Sequence, residues 1–361
     1  MDSDPVHKYR VLRCIGQGGM AEVFTADMLC QPGYSKRVAV KRVLPRLTRN
    51  ARFMRMFLDE ARIGLLLNHS NIVQVFDVGR AEGSYFIVME YVDGANLRDI
   101  WVECQKRRTL MPLEISLAVI IDVCRALYYA HCLTDVRGNP LNVIHHDVNL
   151  ANVLVSVMGE VKLMDFGLSE AAGCLEQSEP DVVRGKFGYI SPEAAHGLRT
   201  DARSDQFSLG VVLYELVTGQ RLFKGQDDLH SLALTRATEV PPPRAVNPEI
   251  PLDLEQVLLR ALARDPAQRF SDMRDMANHL TMVLFDLFRP VNAFSIGDFV
   301  QIVRGPGPED RSSRAARIAE LIEDELLHFE SLEYDETYDD DDLDGDATNV
   351  MGTAPVVDPG D

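Results

Sequence analysis

Two polar loops frame this 361-residue chain: His145-His146-Asp147-Val148-Asn149-Leu150-Ala151-Asn152, and Asp165-Phe166-Gly167, with 18 residues from the first loop's aspartate to the second's. That spacing of acidic and amide side chains is far more specific than any single residue, and the sequence on either side differs in kind. Upstream, Tyr9–Ile15, Glu22–Leu29 and Arg37–Leu44 are rich in Val and Ile and predict three strands of a small antiparallel sheet, joined by a glycine-rich turn and a loop containing Gly33. Arg49–Asn68 has helical periodicity through Phe53, Met56, Phe57, Ala61 and Leu65, and Ile72–Val78 and Tyr85–Tyr91 read as two further strands. Beyond Asp93-Gly94 helical patterns dominate, at Leu97–Lys106, Leu113–Leu133, Asp205–Thr218, Leu252–Ala263 and Ser271–Phe288. The expected class is α+β and bilobal: a β-rich lobe, a short connector, a helical lobe and a tail.

Charge confirms the tail as a separate region. The chain carries 37 Lys+Arg against 55 Asp+Glu, a formal −18, which argues against a general nucleic-acid binder or a protein held on anionic lipid. From Arg289 onward there are five basic and 19 acidic residues, so the body is near neutral. Six cysteines (Cys14, Cys30, Cys104, Cys124, Cys132, Cys174) form no CxxC pair and read as reduced thiols, with neither a zinc site nor a disulfide framework. The start has no apolar signal region, and Leu113–Leu133 is interrupted by Glu114, Asp122 and Arg125, so no direct membrane insertion and a cytoplasmic location are expected.

Gly16-Gln17-Gly18-Gly19-Met20-Ala21-Glu22-Val23 lies between two predicted strands, where residues without side chains let backbone N–H groups approach phosphate oxygens. The element after it is a strand, so it fits neither a Walker loop nor a dinucleotide-binding fold, and alone it is as readily an ordinary hairpin. Lys41, in Val38-Ala39-Val40-Lys41, falls on the third strand, and Glu60 lies in the following helix. An ion pair between them would hold the ammonium against nucleotide phosphates, although singly a surface Lys and a surface Glu account for them. Taken with the two loops, these segments resemble the eukaryotic-type protein kinase superfamily. GxGGMAEV, GYISPE and SDQFSLGVVLYELVTG are most similar to bacterial serine/threonine kinases, and the resemblance covers roughly residues 8 to 287.

The resemblance implies a kinase N-lobe over 9–90 after a short extension at 1–8, a C-lobe over 91–288, and an acidic tail over 289–361. It implies ATP and Mg²⁺ as cofactors, with Asp147 orienting and deprotonating a substrate hydroxyl and Asn152 and Asp165 holding the metal. Lys41, paired with Glu60, would hold phosphates beneath Gly16, Gly18 and Gly19. Adenine would lie between Ile15, Val23, Ala39 and Leu154, with Met89 at the back and backbone groups of Glu90 and Val92 on the base edge. Arg269 would be the buried partner of Glu193, and Asp205 would anchor the catalytic loop. Protein substrates bearing Ser or Thr are the implied partners, with a regulatory partner engaging the tail.

The chain departs from the family pattern in ways that touch the chemistry. Asn149 stands where the family has a lysine that contacts the transferring phosphoryl group, Leu150 where it has proline, and His146 where it has an arginine that pairs with an activation-segment phosphate. Losing one preorganised donor amounts to about 10²–10³ in rate. Lys186, in Gly185-Lys186-Phe187-Gly188-Tyr189, replaces a threonine that bonds the catalytic aspartate, and its ammonium is expected to reach Asp147 and restore the charge. Between Asp165 and Glu193 the hydroxyl residues are Ser169, Ser178, Tyr189 and Ser191, while Glu170, Glu176, Glu179 and Asp181 already supply negative charge, so activity is expected without activation-segment phosphorylation. Gly64 leaves a gap where relatives stack an apolar side chain with Phe166 and His145, a gap for Leu65 or Met56 to fill.

In the tail, Ile318, Leu321, Ile322, Leu326 and Phe329 permit one amphipathic helix over 314–329, docking on the helical lobe or a partner; the remainder is expected to be solvated and disordered. Asp340-x-Asp342-x-Asp344-Gly345 begins like a calcium loop but has Met351 at the closing position and carries no metal reading. Two functions follow: a serine/threonine protein kinase, or a nucleotide-binding pseudokinase scaffold. Asn149, His146, Leu150 and Gly64 favour the scaffold, and the complete set Lys41, Glu60, Asp147, Asn152 and Asp165 favours chemistry.

Overall fold

Alternation along one strand sends Val38 and Val40 to one face of a sheet and Ala39 and Lys41 to the other, and the first lobe is built on that two-sidedness. The computed structural model describes residues 8–31, 33–81, 83–166, 187–305, 322–323, 325–326 and 328–332, with backbone alone for Arg52, Met56 and Glu60. Strands β1 (Tyr9–Gln17), β2 (Ala21–Gln31), β3 (Tyr34–Val43), β4 (Val75–Ala81) and β5 (Ser84–Glu90) pair antiparallel in the order β1-β2-β3-β5-β4. Helix α1 (Ala51–Leu66), capped by the Asn50 side chain on Phe53 N at 3.0 Å, lays Phe53, Phe57 and Ala61 against Val43, Val78 and Ile87 on the inner face. Ile72 and Val73 precede β4 instead of belonging to it, because Val73 N–H is bonded to Leu163 O across the cleft at 2.9 Å.

The second lobe is helical. It contains α2 (Leu97–Arg107), α3 (Leu113–His131), the short α4 (Pro192–Ala195), α5 (Arg203–Thr218), α6 (Asp228–Ala237), α7 (Pro243–Val246), α8 (Leu252–Ala261) and α9 (Met273–Asp286). Every residue of α5 from Ser204 to Thr218 is buried, the mark of a helix surrounded by protein on all sides. Gly219, at φ 70°, ends it with a left-handed turn that returns its N–H to Glu215 O at 3.0 Å. Among the described residues no helix is long and apolar enough to cross a membrane.

A small sheet between the lobes explains the spacing of the two polar loops. Strands β6 (Gly94–Asn96), β7 (Val153–Ser156) and β8 (Val161–Leu163) pair in that order, with Val153 opposite Leu163. The strand β7 begins directly after Asn152 and β8 ends two residues before Asp165, so the two loops are the open ends of one antiparallel hairpin and come to lie side by side.

The tail differs from the expectation of disorder outside one helix. Helix α10 (Ala293–Arg304) opens with a capping box between Asn292 and Ser295 and buries Ile296, Val300 and Val303 against the C-lobe. Its charge is near balance, and counting acids over the whole of 289–361 hid it. Residues 322–323 and 325–326 are helical, inside the expected helix, while 314–321 lie outside the described residues. This segment sits on the outer face of the N-lobe, not on the helical lobe. Ile322 and Leu326 are fully buried against Phe24, Val38, Val40, Phe86 and Val88, and Phe329 meets the Tyr9 ring edge-on at 5.4 Å. Burial of that kind stabilises by about 1.5–3 kcal/mol per side chain. Glu325 pairs with Arg42, and β9 (Glu330–Ser331) extends the sheet as a sixth strand beyond β4. Gly79 permits the approach: a Cβ there would collide with Glu330 O and stand 2.6 Å from Phe329 Cε2.

Candidate active site

The loop His145–Asn152 has no regular structure, and a buried carboxylate holds it. Asp205, near the start of α5 and 0% exposed, accepts from His145 N and His146 N, one on each oxygen, at 2.9 Å, and meets His131 Nε2 at 2.8 Å. Burial by itself would raise this carboxyl, but the His131 contact and the loop amides hold it below the usual carboxylate range. To present both amides the backbone turns left-handed at His146, φ 61°, a conformation that is strained for a residue with a Cβ. His145 is fully buried, its Nδ1 accepting from Asp147 N at 3.2 Å and its Nε2 facing Met164 O at 3.0 Å. One ring nitrogen accepts and the other donates, so this is the neutral tautomer, and burial pushes its pKa down in agreement.

Asp147 lies inside this frame, buried, with both oxygens engaged. Asn149 Nδ2 donates to Oδ1 at 2.9 Å and Asn152 Nδ2 to Oδ2 at 3.0 Å, and both amides also reach Asp147 O. Asn149 therefore turns inward: its own Oδ1 accepts from Ala151 N at 2.8 Å, so it closes the loop and does not project as a lysine would. At the other end of the hairpin Asp165, φ 62°, is a second left-handed residue, and its Oδ1 meets Lys41 Nζ at 2.7 Å across the lobes. Phe166 turns back under the cleft with its ring 4.4 Å from that of His145. Asn152, with its NH₂ on Asp147, has its carbonyl oxygen for a cation, and Asp165 has its second carboxylate oxygen. One carboxylate and one amide suit Mg²⁺, which retains waters and binds phosphate oxygens, better than an all-protein cage.

Above the hairpin, Ala39 and Met89 are buried together with Val73, with Val23, Val92 and Leu154 packed around them, and Ile15 is the exposed member of the set. Glu90 gives its N–H to Gln74 O at 2.8 Å, which leaves its carbonyl as the group for a base edge, while its carboxylate is held by Lys162 Nζ at 2.8 Å. A Cβ built on Gly16 or Gly18 would meet only ordinary contacts, at 3.7 and 3.6 Å. The fold does not demand glycine at either position, so its presence points to something that must come close to the backbone.

Some expected residues are not brought into view. Lys186 lies outside the described residues, as do Ser169, Ser178 and the acidic residues around them, and Glu60 is described by its backbone alone. Val75 stands beside Gly64, its Cγ2 2.7 Å from where a Cβ would be, and the Met56 side chain lies outside what the structure describes. A small cavity of about 30 Å³ remains beside Met89, bordered by Lys41, Ala61, Gly64 and Phe166. Sequence reasoning missed His131 and the cluster in which Tyr189 OH bonds Glu215 Oε2 at 2.8 Å while Arg221 Nε meets Oε1 at 3.0 Å. A lone His or Glu at the helical spacing of an apolar run gives no signal of such a partner. Arg269 and Glu193 do form the expected pair, bidentate with both contacts at 2.8 Å.

The protein kinase domain family model matches residues 9–282. The chain is 38% identical over 317 residues to the tyrosine-protein kinase MasK of Myxococcus xanthus, covering 88% of this chain and 49% of that one. It is 38% identical over 282 residues to the serine/threonine-protein kinase PknB of Mycobacterium leprae, covering 76% and 43%, and 33% identical over 270 residues to PrkC of Bacillus subtilis, covering 74% and 39%. The chain thus spans half or less of the length of these curated relatives. Among solved structures, a kinase-domain variant of PknI from Mycobacterium tuberculosis superposes with a TM-score of 0.59 at 28% identity, covering 79% of this chain and all of that one.

Proposed function

The chain belongs to the protein kinase domain family, and from that membership we propose that it transfers the γ-phosphoryl group of ATP, with Mg²⁺, to Ser and Thr hydroxyls of protein substrates. The observation that carries this reading is the arrangement of the two hairpin ends: Asp147 fixed by the Asn149 and Asn152 amides of its own loop, and Asp165 at 2.7 Å from Lys41 of the N-lobe. A scaffold needs no carboxylate held with both oxygens aimed, so the arrangement favours chemistry over the pseudokinase alternative.

In the reaction Asp147 accepts the substrate hydroxyl proton. Lys41, which the family resemblance pairs with Glu60, takes the charge of the phosphates, and Asn152 and Asp165 would supply the hard oxygens that hold Mg²⁺. Bound there, the nucleotide would supply the electrophilic phosphorus and the metal would neutralise charge at the leaving oxygen. Ile15, Val23, Ala39, Met89 and Leu154 exclude water around the base, and the glycines Gly16, Gly18 and Gly19 bring backbone N–H groups toward phosphate. Asn149 faces Asp147 and brings no ammonium; Lys186, outside the described residues, is the lysine the sequence offers to supply it. Lys186→Ala is expected to lower the transfer rate about 10²-fold with nucleotide affinity within a few-fold of wild type. Retention of transfer within a few-fold would remove Lys186 from the mechanism.

MasK is named a tyrosine kinase and PknB and PrkC serine/threonine kinases, so hydroxyl preference is the point to test. Labelled γ-phosphate transfer to matched peptides carrying Ser, Thr or Tyr is expected to label the first two, and label confined to Tyr would overturn the assignment. His146 in place of arginine and the acidic activation segment support activity without prior phosphorylation. Phosphatase-treated enzyme is expected to keep at least half its rate, measured in a single turnover with the phosphatase removed.

A further inference from the structure

Ser331 stands at the end of the docked tail segment, exposed, on the last strand of the sheet. Its Oγ donates to Asp77 Oδ2 at 2.8 Å, the same oxygen that Lys8 Nζ meets at 2.7 Å. We propose that Ser331 is a phosphorylation site and that its phosphate releases residues 322–332 from the outer face of the N-lobe. The identity of the phosphoryl donor rests on the kinase reading above; the release rests on the docking geometry alone.

The contact with Asp77 exists because Ser331 has a proton to give. A phosphoserine has lost that donor and carries about −1.5 to −2 charge with three acceptor oxygens, placed against a carboxylate. Of the neighbouring cations, Lys8 is on Asp77 and over the rings of Tyr9 and Phe329 at 5.3 and 5.2 Å, Arg80 faces Glu330 at 3.9 Å, and Lys36 lies over the Phe76 ring at 3.8 Å. Lys8 and Arg80 balance Asp77 and Glu330, and the added charge has no counterion among these four groups. The sequence that follows carries charge of the same sign at Glu333, Asp335 and Glu336. Nor is there room for the segment to shift within its register, since Gly79 admits the Glu330 backbone and the Phe329 ring only without a Cβ.

In the transfer the Ser331 Oγ bonds to the γ-phosphorus of ATP, the bond from that phosphorus to the β,γ-bridging oxygen breaks, ADP leaves, and the hydroxyl proton passes to the catalytic carboxylate, which is Asp147 when a second copy of this chain is the donor. A strand paired with β4 is no acceptor, so phosphate is added to the released segment and then opposes its return, a shift of population between two states. Release uncovers Phe24, Val38, Val40, Phe86 and Val88, a continuous apolar face.

The test uses the full chain with phosphoserine installed at position 331 during synthesis, so that it is independent of the chain's own activity. The readout is exchange of the Leu332 amide, which is bonded to Val78 O at 2.9 Å in the docked state. Exchange is expected to be at least tenfold faster than in the unmodified chain, to slow again when Asp77→Asn is combined with phosphoserine, and to stay slow in Ser331→Ala. Unchanged or slower exchange in the phosphorylated chain would overturn the proposal, because Lys8 and Arg80 would then have captured the phosphate. A second arm incubates wild type and Asp147→Asn with Mg²⁺ and ATP and maps phosphate by mass spectrometry. Label at Ser331 in wild type alone supports the site, label elsewhere without Ser331 overturns it, and no label anywhere overturns the kinase reading instead.

Discussion

Asp147→Asn is expected to lower phosphotransfer about 10³-fold while leaving nucleotide affinity within about threefold, the size of a lost general base. The geometry makes the substitution specific. Asp147 accepts at both oxygens from the NH₂ groups of Asn149 and Asn152, so an amide in its place offers one acceptor and one donor where two acceptors are needed. One of the neighbouring amides must turn away, and the group facing the substrate hydroxyl can no longer take a proton. Lys41, Asp165 and the apolar slot around Ala39 and Met89 are untouched, which is why binding is expected to survive. Single-turnover transfer and a nucleotide titration on the same preparation separate the two. Transfer within tenfold of wild type would mean that the substrate hydroxyl loses its proton elsewhere.

The parts legible in the sequence are those whose signal is local. Strands β1 to β3 and β5 and helices α1 to α3 follow from period and from turn residues, and the loop motifs placed Asp147, Asn152 and Asp165 on one centre. The hairpin joining them was not legible: Val153–Ser156 and Val161–Leu163 are too short for any period to register, and only their pairing shows that an interval of 18 residues is a turn of sheet. Residues acting through a second residue were also silent, as His131 is behind Asp205 and Glu215 beneath Tyr189. Asn149 read as a deletion of charge, and its second property, a donor to Asp147, needed coordinates. The outer face of the N-lobe gave half its signal: Val38, Val40, Phe86 and Val88 predict strands, but their cover lies more than 230 residues away in a segment whose acidity reads as solvation.

Arg269→Met is expected to destabilise the C-lobe by about 3–5 kcal/mol, the usual consequence of breaking a buried pair from one side. Arg269 is 0% exposed at its side chain and donates to both oxygens of Glu193 at 2.8 Å, to Arg203 O at 2.7 Å and to Ala263 O at 2.9 Å, over the ring of Phe207. Methionine fills much of the volume, so the loss is electrostatic: a carboxylate and two carbonyls keep their desolvation and lose their donors. At about 2–4 °C per kcal/mol for a unit of this size the melting transition falls by roughly 6–20 °C. Glu193→Gln on the Arg269→Met background is expected to recover part of that loss, because it removes the stranded charge while the orphaned carbonyls remain. The double-mutant cycle in a calorimeter measures the difference. A loss below about 1 kcal/mol for Arg269→Met would mean that the carboxylate finds water once released, and that Glu193 and the helix it lies in, α4, are held by the Ser191 and Ser204 hydroxyls, which bond each other at 2.7 Å, instead of by the ion pair.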